Sequence, residues 1–503
     1  MPYLLGVDSG TNACKVVLFD LDGRPAASST EEHQIRYPKP TWAEQDPEWW
    51  WRAAAKAIKE ALKGLDPSDV CGVGLDSQRE AVVLVDGAGR SLSNSIIWLD
   101  RRTLPQAEEI RRRLPKEEVL SKTGVPIDYF YSAAKLMWIK EEAPSLLSKA
   151  KRILFPKDYL AFKLTGEAAT DYSMASRTML FNVHELVWDE EICGALGLPL
   201  ELLPPVKGAW EVVGEVTGEA AEETGLKPGT PVVPGGGDRP CEALGAGVIE
   251  PGRVNIGTGT ATMMTTPLKK PRIDEEGKVD CCCHVVPETW EYELPILTTG
   301  ASFRWFRDNF AHEEVERAKG FGGSPYDYLV ELASKVPPGS EKLFYYPYPM
   351  GAKAPKYNEL AKAVFFGFTL SHSKAHFVRA ILEGVAFQYA ESLELLGKLG
   401  VEPVEASIVG GEAKSDLWNQ MKADVTGLKI WVPEVEDAAA LGSAILAGVG
   451  AKAYKSVEEG VSRAVRFKKA YAPNPEANRL YRGLLEKYKK VYEHVEKGYN
   501  VIS

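Results

Sequence analysis

The stretch YLLGVDSGTNACKVVLFD, residues 3–20, decides the fold of this chain. Two apolar runs flank the small polar turn at residues 9–12, a pattern that predicts two β-strands joined by a tight turn. A second stretch, GRVNIGTGTATMMTT at residues 252–266, has the same form. Strands and helices alternate between the two stretches, to about residue 240. The sequence therefore predicts an α/β protein in which a similar hairpin opens each half.

The size and charge of the chain limit its class. With 503 residues it is too long for one core, so two large domains are expected. Its 45% apolar and 26% charged residues are ordinary for a soluble globular protein. A formal net charge of −10 disfavours nucleic acid or an anionic membrane as a partner, since both require a basic face. No continuous apolar stretch is long enough to span a bilayer.

The seven cysteines include the run Cys281, Cys282 and Cys283, which His284 follows. The paired spacings of zinc sites are missing around this run, so buried or edge thiols are the favoured interpretation. Adjacent cysteines rarely form a good framework of disulfides, and the total number of cysteines is odd. We expect a reduced, cytoplasmic environment.

Capping residues and periodicity predict several helices. Asp46 is a candidate N-cap, Pro47 suits the first turn, and Gly64 is a candidate stop. Two more helices are predicted at residues 374–398 and 415–426, on either side of the strand EASIVGG. The chain then closes with a helix whose apolar residues recur at three-and-four spacing, which indicates an amphipathic surface helix.

Both hairpin turns contain the chemical groups that a phosphate-binding site uses. Backbone amides of small residues can approach phosphate oxygens, and Thr11 and Asn12 add side-chain donors. The Asp8 carboxylate could hold the water shell of a Mg²⁺ ion. Thr258 and Gly259 offer the same groups in the second half. Each turn by itself is better explained as a plain hairpin, so the phosphate interpretation depends on the pairing of the two.

Two glycine-rich strand ends come next. The strand before Gly410–Gly411 ends where a helix starts near Ser415, which would let a flat ring lie against bare backbone, although a routine strand-to-helix turn looks the same. In VVPGGGD, residues 232–238, three glycines precede the carboxylate of Asp238. Such a loop can approach a ligand closely, whereas the plainer interpretation makes Asp238 a cap for the helix that follows.

The sequence resembles the FGGY family of carbohydrate kinases over nearly its whole length. YSAAKLMWIKEE, residues 131–142, resembles one family signature through Ser132, Lys135, Trp138 and Glu142. FFGFTLSHSKAHFVRAILEGVAF, residues 365–387, resembles the other through Gly367, His376, Ala380 and Glu383. IIWLDRR, PGGGDRPCEALGAGVIEPG and EVEDAAALGSAILAGVG fit as well, and their order and spacing make the resemblance strong.

This resemblance implies a two-lobed, actin-like (ribonuclease H-like) α/β fold with a central cleft. Residues 1–245 would form a sugar-binding lobe and residues 246–503 an ATP-binding lobe. The residues expected near the phosphates are Thr11, Asn12, Thr258 and Gly259, those expected near the nucleoside are Gly300, Gly411 and Ser415, and those expected near Mg²⁺ are Asp8 and Asp238. Asp238 would take the proton from the attacking hydroxyl of the sugar. Homodimers are common in the family, but the sequence defines no dimer surface.

The substrate is less well defined. Arg79–Glu80 resembles glycerol kinases, and also a kinase of bacterial signalling sugars, whereas xylulose-phosphorylating relatives usually carry Met-His there. Asp238–Arg239 and Phe130–Tyr131 depart from the glycerol kinase pattern, and the C-terminal half looks more like pentulose kinases. We therefore predict that these six residues bind a pentulose, with glycerol or another short polyol as the alternative. A non-catalytic, ATP-gated regulatory protein is the rival class, disfavoured because Asp8 and Asp238 are both retained.

Overall fold

Both predicted hairpins form in the computed structural model, which describes residues 1–502. Tyr3–Ser9 pairs antiparallel with Ala13–Asp20, and Arg253–Thr258 pairs antiparallel with Thr262–Leu268. The internal repeat of a hairpin in each half is therefore confirmed.

The longer strands of the chain belong to the two main sheets. In chain order they are β1 (Tyr3–Ser9), β2 (Ala13–Asp20), β3 (Pro25–Glu32), β4 (Glu44–Gln45), β5 (Val70–Ser77), β6 (Val83–Val85), β7 (Ser95–Ile96), β8 (Arg152–Leu154), β9 (Thr170–Asp171), β10 (Phe181–Asn182), β11 (Val187–Trp188), β12 (Val206–Lys207), β13 (Gly214–Glu215), β14 (Pro231–Gly237), β15 (Arg253–Thr258), β16 (Thr262–Leu268), β17 (Asp280–Cys283), β18 (Trp290–Ile296), β19 (Phe344–Tyr346), β20 (Val364–Phe366), β21 (Glu405–Gly410), β22 (Lys429–Pro433) and β23 (Phe467–Tyr471).

The helices vary more in length than the strands. In chain order they are α1 (Pro47–Ala61), α2 (Leu104–Arg113), α3 (Lys116–Thr123), α4 (Ser132–Glu142), α5 (Pro144–Lys149), α6 (Pro156–Thr165), α7 (Tyr172–Ala175), α8 (Glu190–Leu196), α9 (Gly218–Thr224), α10 (Asp238–Gly245), α11 (Gly300–Phe310), α12 (His312–Phe321), α13 (Pro325–Ser334), α14 (Lys374–Lys398), α15 (Asp416–Thr426), α16 (Ala438–Gly450), α17 (Val457–Ala464) and α18 (Pro475–Ile502). Short 3₁₀ turns occupy Pro67–Asp69, Leu200–Leu202, Ser340–Lys342 and Gly411–Lys414.

Several predicted helix bounds agree closely with the structure. Helix α1 begins at Pro47, and the Asp46 side chain accepts a hydrogen bond from the Glu48 amide at 3.0 Å, as an N-cap does. It ends at Ala61, three residues before the predicted stop at Gly64. Helix α14 has the predicted bounds, and α15 follows one residue after Ser415, which is its N-cap.

The chain forms two structural units that do not follow a single boundary. The first comprises Met1–Ile249, Pro267–Tyr292 and Asp437–Arg466, and the second comprises Glu250–Thr266, Glu293–Glu436 and Phe467–Ser503. The predicted boundary after residue 245 thus misses two later segments that belong to the first unit. The reason lies in the packing of α16 on the first sheet.

The sheet of the first unit has the strand order β13-β14-β5-β1-β2-β3, with β1, β5 and β14 parallel to one another. One face packs against α1, where Trp50 and Trp51 are 0% and 2% exposed. On the other face α16 lies directly on the backbone: a Cβ on Gly6 would be 2.0 Å from the Ala440 oxygen, and one on Gly74 would be 1.9 Å from the Ser443 oxygen. Only glycine permits this approach, so α16 belongs to the first unit.

The second unit contains the strand order β18-β16-β15-β21-β22-β23, in which β15, β21 and β22 are parallel. The long helix α14 is buried over most of its length. Its Glu383 accepts hydrogen bonds from the Gly339 amide, the Arg379 guanidinium and the Tyr481 hydroxyl, each at 2.8 Å. Glu383, a residue of the second family signature, therefore anchors α14 within its unit.

Two further features bear on the sequence predictions. All seven cysteines are free thiols, and Cys281, Cys282 and Cys283 are buried, as the favoured interpretation of that run expected. Among residues 1–502, no helix combines the length and the apolar character that crossing a membrane requires.

Candidate active site

The first hairpin turn lies at the carboxyl end of the first sheet. Thr11 Oγ1 accepts a hydrogen bond from the exposed Trp98 indole at 2.9 Å, and the Thr11 carbonyl accepts one from Gln45 at 2.7 Å. Asn12 is exposed, and its carbonyl accepts the His33 amide at 3.0 Å. These contacts fix the turn, in which Gly10 and Thr11 are half-buried and Asn12 is exposed.

Two carboxylates stand side by side below this turn. Asp8 on β1 is in register with Asp76 on the parallel strand β5, so the two side chains project from the same face of the sheet. Burial, assisted by the nearby Asp238 carboxylate, raises the pKa of Asp8 from 3.8 to about 6. Burial and the adjacent Asp8 carboxylate raise the pKa of Asp76 well above 3.8. Sequence reasoning found Asp8 but missed Asp76, which stands in GLDSQRE without any metal-site motif.

A β-bulge in β14 directly precedes the end of the GGGD loop. On β14, Pro234 and Gly235 stand opposite the single residue Leu75 of β5, because the register shifts between Val233 and Gly236. Gly235 has φ +61°, and a Cβ there would lie 1.7 Å from the Leu75 oxygen. The extra residue bends the strand so that Asp238 becomes the first residue of α10.

Asp238 and its neighbours form an ion-pair cluster. Asp238 Oδ1 accepts the Arg239 backbone amide at 2.9 Å and lies 3.5 Å from the Arg79 Nε. The Arg79 side chain is only 4% exposed, whereas that of Asp238 is 32% exposed. Arg239 pairs with Glu242 at 3.3 Å. The predicted residues Arg79, Asp238 and Arg239 therefore do lie together, with the Asp238 carboxylate reaching solvent.

Glu80 is part of a second buried network that the sequence did not reveal. Its Oε1 accepts the Arg177 Nε at 2.8 Å, and Arg177 also donates to Asp280 at 2.7 Å. The Tyr131 hydroxyl donates to the same Asp280 oxygen at 3.1 Å. Tyr131 is fully buried, so its ring supports this network, while the adjacent Phe130 ring, 4.2 Å away between centroids, is half-buried.

The first family signature holds the backbone of this network. Ser132 and Lys135 at the start of α4 both donate to the Glu80 carbonyl, at 3.0 Å and 2.8 Å. Lys135 also donates to the Phe130 carbonyl at 2.7 Å. Glu80 itself has φ +65°, a left-handed conformation that is strained for this residue. The two donors explain how that conformation is maintained.

In the second unit the predicted nucleotide residues also converge. Thr258 Oγ1 donates to the Val409 carbonyl at 2.6 Å, and a Cβ on Gly410 would lie 1.9 Å from the Thr258 oxygen. A Cβ on Gly300 would lie 2.2 Å from the Gly259 oxygen. Three separate chain segments thus meet through bare backbone. Gly411 has open space on its Cα, and Ser415 caps α15 through the Trp418 amide.

A buried polar cluster behind Gly411 was missed from the sequence. Glu412 Oε2 pairs with Lys422 Nζ at 2.8 Å and accepts the Tyr389 hydroxyl at 2.9 Å. Burial lowers the pKa of Lys422 and raises that of Tyr389 well above 10.0. The Glu412 amide donates to Thr258 Oγ1 at 3.2 Å, so this cluster holds the glycine turn against the second hairpin.

Comparison with known proteins shows the family. Residues 3–245 match the N-terminal domain of the FGGY family of carbohydrate kinases, and residues 252–451 match its C-terminal domain. The chain belongs to the FGGY family. The two-lobed, actin-like α/β fold expected from the resemblance is therefore confirmed, and the activity class of this chain is phosphoryl transfer to a carbohydrate hydroxyl.

Relatives with different substrates match this FGGY chain equally well. It is 30% identical to the xylulose kinase of Bacillus subtilis over 99% of this chain and 98% of the relative. It is 31% identical to the gluconokinase of the same organism over 100% of this chain and 98% of the relative. The solved structure of ligand-bound xylulose kinase from Lactobacillus acidophilus superposes with a TM-score of 0.90 at 26% identity, covering 100% of both chains.

The buried Lys135 makes the stability of this FGGY chain depend on pH. Burial lowers the pKa of Lys135 from 10.5 to about 7, so between these values the unfolded chain binds more protons than the folded one. Stability is therefore expected to rise with pH over this window, by at most ~1.4 kcal/mol per pH unit. Because the raised pKa of Asp76 contributes in the opposite direction, the measurement is the difference between two proteins: in urea unfolding at pH 6.5 to 9.5, the stability of the wild type should increase with pH relative to that of Lys135→Met. The exposed Lys149→Met is the control, and an unchanged slope in Lys135→Met would contradict the expectation.

Proposed function

We propose that this protein is an ATP- and Mg²⁺-dependent kinase of an uncharged sugar, a pentulose. The pairing of the arginines supports an uncharged substrate. Arg79 lies beside Asp238, and Arg177 is bound by both Glu80 and Asp280. Since these guanidiniums already have carboxylate partners, an aldonate would bring an extra negative charge into a balanced site. Neutral hydroxyls can accept and donate within it.

Asp238 would act as the general base. Its Oδ1 is held by the Arg239 amide, so the carboxylate keeps a fixed position at the start of α10. A sugar hydroxyl within hydrogen-bond reach would give up its proton to this group as the bond to phosphorus forms. The Arg79 guanidinium, 3.5 Å from Oδ1, would donate to the hydroxyl oxygens beside the reacting one.

The residues present fit the nucleotide and the metal ion. Gly411 is exposed with open space on its Cα, so a flat base can lie against it, and Thr258 and Gly259 present a turn for phosphate oxygens. Asp8 is half-buried and carries no cationic side-chain partner within residues 1–502, which suits a hydrated Mg²⁺. When bound, the ion would neutralise charge on the transferred phosphoryl group.

A single assay tests this proposal. ADP release is measured with Mg-ATP and D-xylulose, D-ribulose, L-ribulose, xylitol, erythritol, glycerol or D-gluconate, beside a blank without acceptor. We expect the highest kcat/KM with one of the ketoses and little turnover with gluconate. Preference for gluconate would contradict the charge-balance argument, and preference for glycerol would favour the short-polyol alternative.

If no acceptor supported ADP release in a protein that still binds ATP, the proposed substrate class would be contradicted. The rarer phosphorylatable sugars would then be tested with the same assay. The homodimer and the cytoplasmic location stay predictions, which size-exclusion chromatography with light scattering and cell fractionation would test.

A further inference from the structure

A fully buried ion triad lies beside the GGGD loop. Lys157, Asp158 and Asp171 are each 0% exposed, and the Lys157 Nζ pairs with Asp158 Oδ1 at 2.6 Å and with Asp171 Oδ1 at 2.9 Å. Burial alone would favour the neutral amine, but the two carboxylates raise the pKa of Lys157. Charges that no water reaches depend on such partners, so the triad has one well-defined geometry.

A chain of hydrogen bonds leads from this triad to the loop. Asp171 is the N-cap of α7, and its Oδ2 accepts the Ser173 amide at 2.8 Å and the Ser173 hydroxyl at 2.5 Å. Since the hydroxyl donates to Asp171, its oxygen is left to accept the Gly237 amide, at 3.0 Å. Hydrogen bonds that start from a charge in a low-dielectric interior strengthen one another. The residue before Asp238 is therefore tied to the buried charges.

The same triad contacts the end of the strand that precedes Arg79. The Lys157 amide donates to the Ser77 hydroxyl at 3.1 Å, and that hydroxyl donates to the Gln78 carbonyl at 2.8 Å. Ser77 is in register with Gly237 across β5 and β14. The Arg79 side chain packs on bare backbone there, since a Cβ on Gly237 would lie 2.4 Å from Arg79 Cδ. The ends of both strands are thus connected to Lys157.

We propose that Asp171 and Ser173 are positioning residues for Asp238, because they hold the Gly237 amide and with it the start of α10. The role of Asp238 as general base is taken from the proposed function, on which this inference rests. Asp171 and Ser173 are fully buried, so they act through the backbone of the loop. Without the Ser173 hydroxyl, the Gly237 amide would lose its acceptor and the loop would shift. A displacement of about 1 Å can cost about 10²-fold in rate.

Amide hydrogen exchange tests the contact without substrate or nucleotide. Mass spectrometry with electron-transfer fragmentation reads exchange at Gly237, which should be at least about tenfold faster in Ser173→Ala than in the wild type. Ser176→Ala is the matched control, because Ser176 is equally buried at the end of α7 and its hydroxyl accepts the Cys283 amide, also at 3.0 Å. Equal protection of Gly237 in the two variants would overturn the inference.

A double-mutant cycle tests the effect on catalysis. Ser173→Ala should lower kcat by about 10- to 100-fold, whereas Ser176→Ala should change it by less than about twofold. In the Asp238→Asn background, Ser173→Ala should lower kcat by less than about twofold, because no base is left to position. A residue that only stabilises the fold would lower kcat by the same factor in both backgrounds, and that result would also overturn the inference.

The two proposals fail separately. A chain that phosphorylates a sugar, but in which Ser173→Ala matches Ser176→Ala in exchange and in kcat, would retain the proposed function and lose this inference. A chain that phosphorylates no acceptor, but in which Ser173→Ala releases the Gly237 amide, would retain the hydrogen-bonded support of the loop and lose the proposed function.

Discussion

Replacing Asp238 with asparagine is expected to lower kcat by about 10²- to 10⁴-fold with little change in sugar affinity. The amide has the same shape as the carboxylate and can still accept the Arg239 backbone hydrogen bond, which is 2.9 Å long in the wild type. It cannot take the proton of the attacking hydroxyl. The measurement is steady-state ADP release with the acceptor that the panel identifies, together with calorimetric titration of that acceptor.

Asp69→Asn is the control for this experiment, since its side chain lies outside the cluster and should leave kcat unchanged. Turnover of Asp238→Asn at the wild-type rate would show that another group accepts the proton. A joint loss of sugar affinity and turnover would instead assign Asp238 to binding, through its contact with Arg79, because the ground state would then be weakened along with the transition state.

Replacing Gly235 with alanine is expected to destabilise the first unit by more than ~4 kcal/mol, which places it among the largest effects of a single substitution. Its φ of +61° is unfavourable for alanine, and the added Cβ would lie 1.7 Å from the Leu75 carbonyl oxygen. No flexible side chain can move aside, because the obstacle is the backbone of β5. The strands β14 and β5 would have to separate where the bulge aims Asp238.

Urea unfolding and the soluble yield measure this effect. Gly218→Ala is the control, because Gly218 begins α9 with nothing within 4 Å of an added Cβ. That change should be neutral or stabilise the protein by up to ~1 kcal/mol. If Gly235→Ala unfolded at the same urea concentration as Gly218→Ala, the bulge would have to be far more adaptable than its geometry indicates.

The features that the sequence predicted depend on neighbouring residues. Asp46 and Pro47 start α1 through contacts within three positions, and the turns at Gly10 and Gly259 need only small residues between two apolar runs. The GGGD loop could be predicted because its three glycines directly precede the carboxylate of Asp238 in the sequence. Features of this kind depend on residues that are adjacent in the sequence.

The features that were missed depend on residues far apart in the chain. Glu80, Arg177 and Asp280 form one network from three segments, and no spacing rule connects them. Asp76 meets Asp8 only because β1 and β5 are parallel neighbours in register. Tyr131 was predicted to bind substrate, and its burial beneath Phe130 follows from packing that the local sequence does not encode.

Helix α16 also sets the order in which the first unit can be completed during synthesis. Strand β14 has been made when residue 237 leaves the ribosome, but the helix that covers the glycine-lined face starts roughly 200 residues later, at Ala438. Until then no α16 is present to pack on that face of β1 and β5. Although the N-terminal family match ends at residue 245, a nascent chain of that length still lacks α16, so we expect its first sheet to be uncovered on one face.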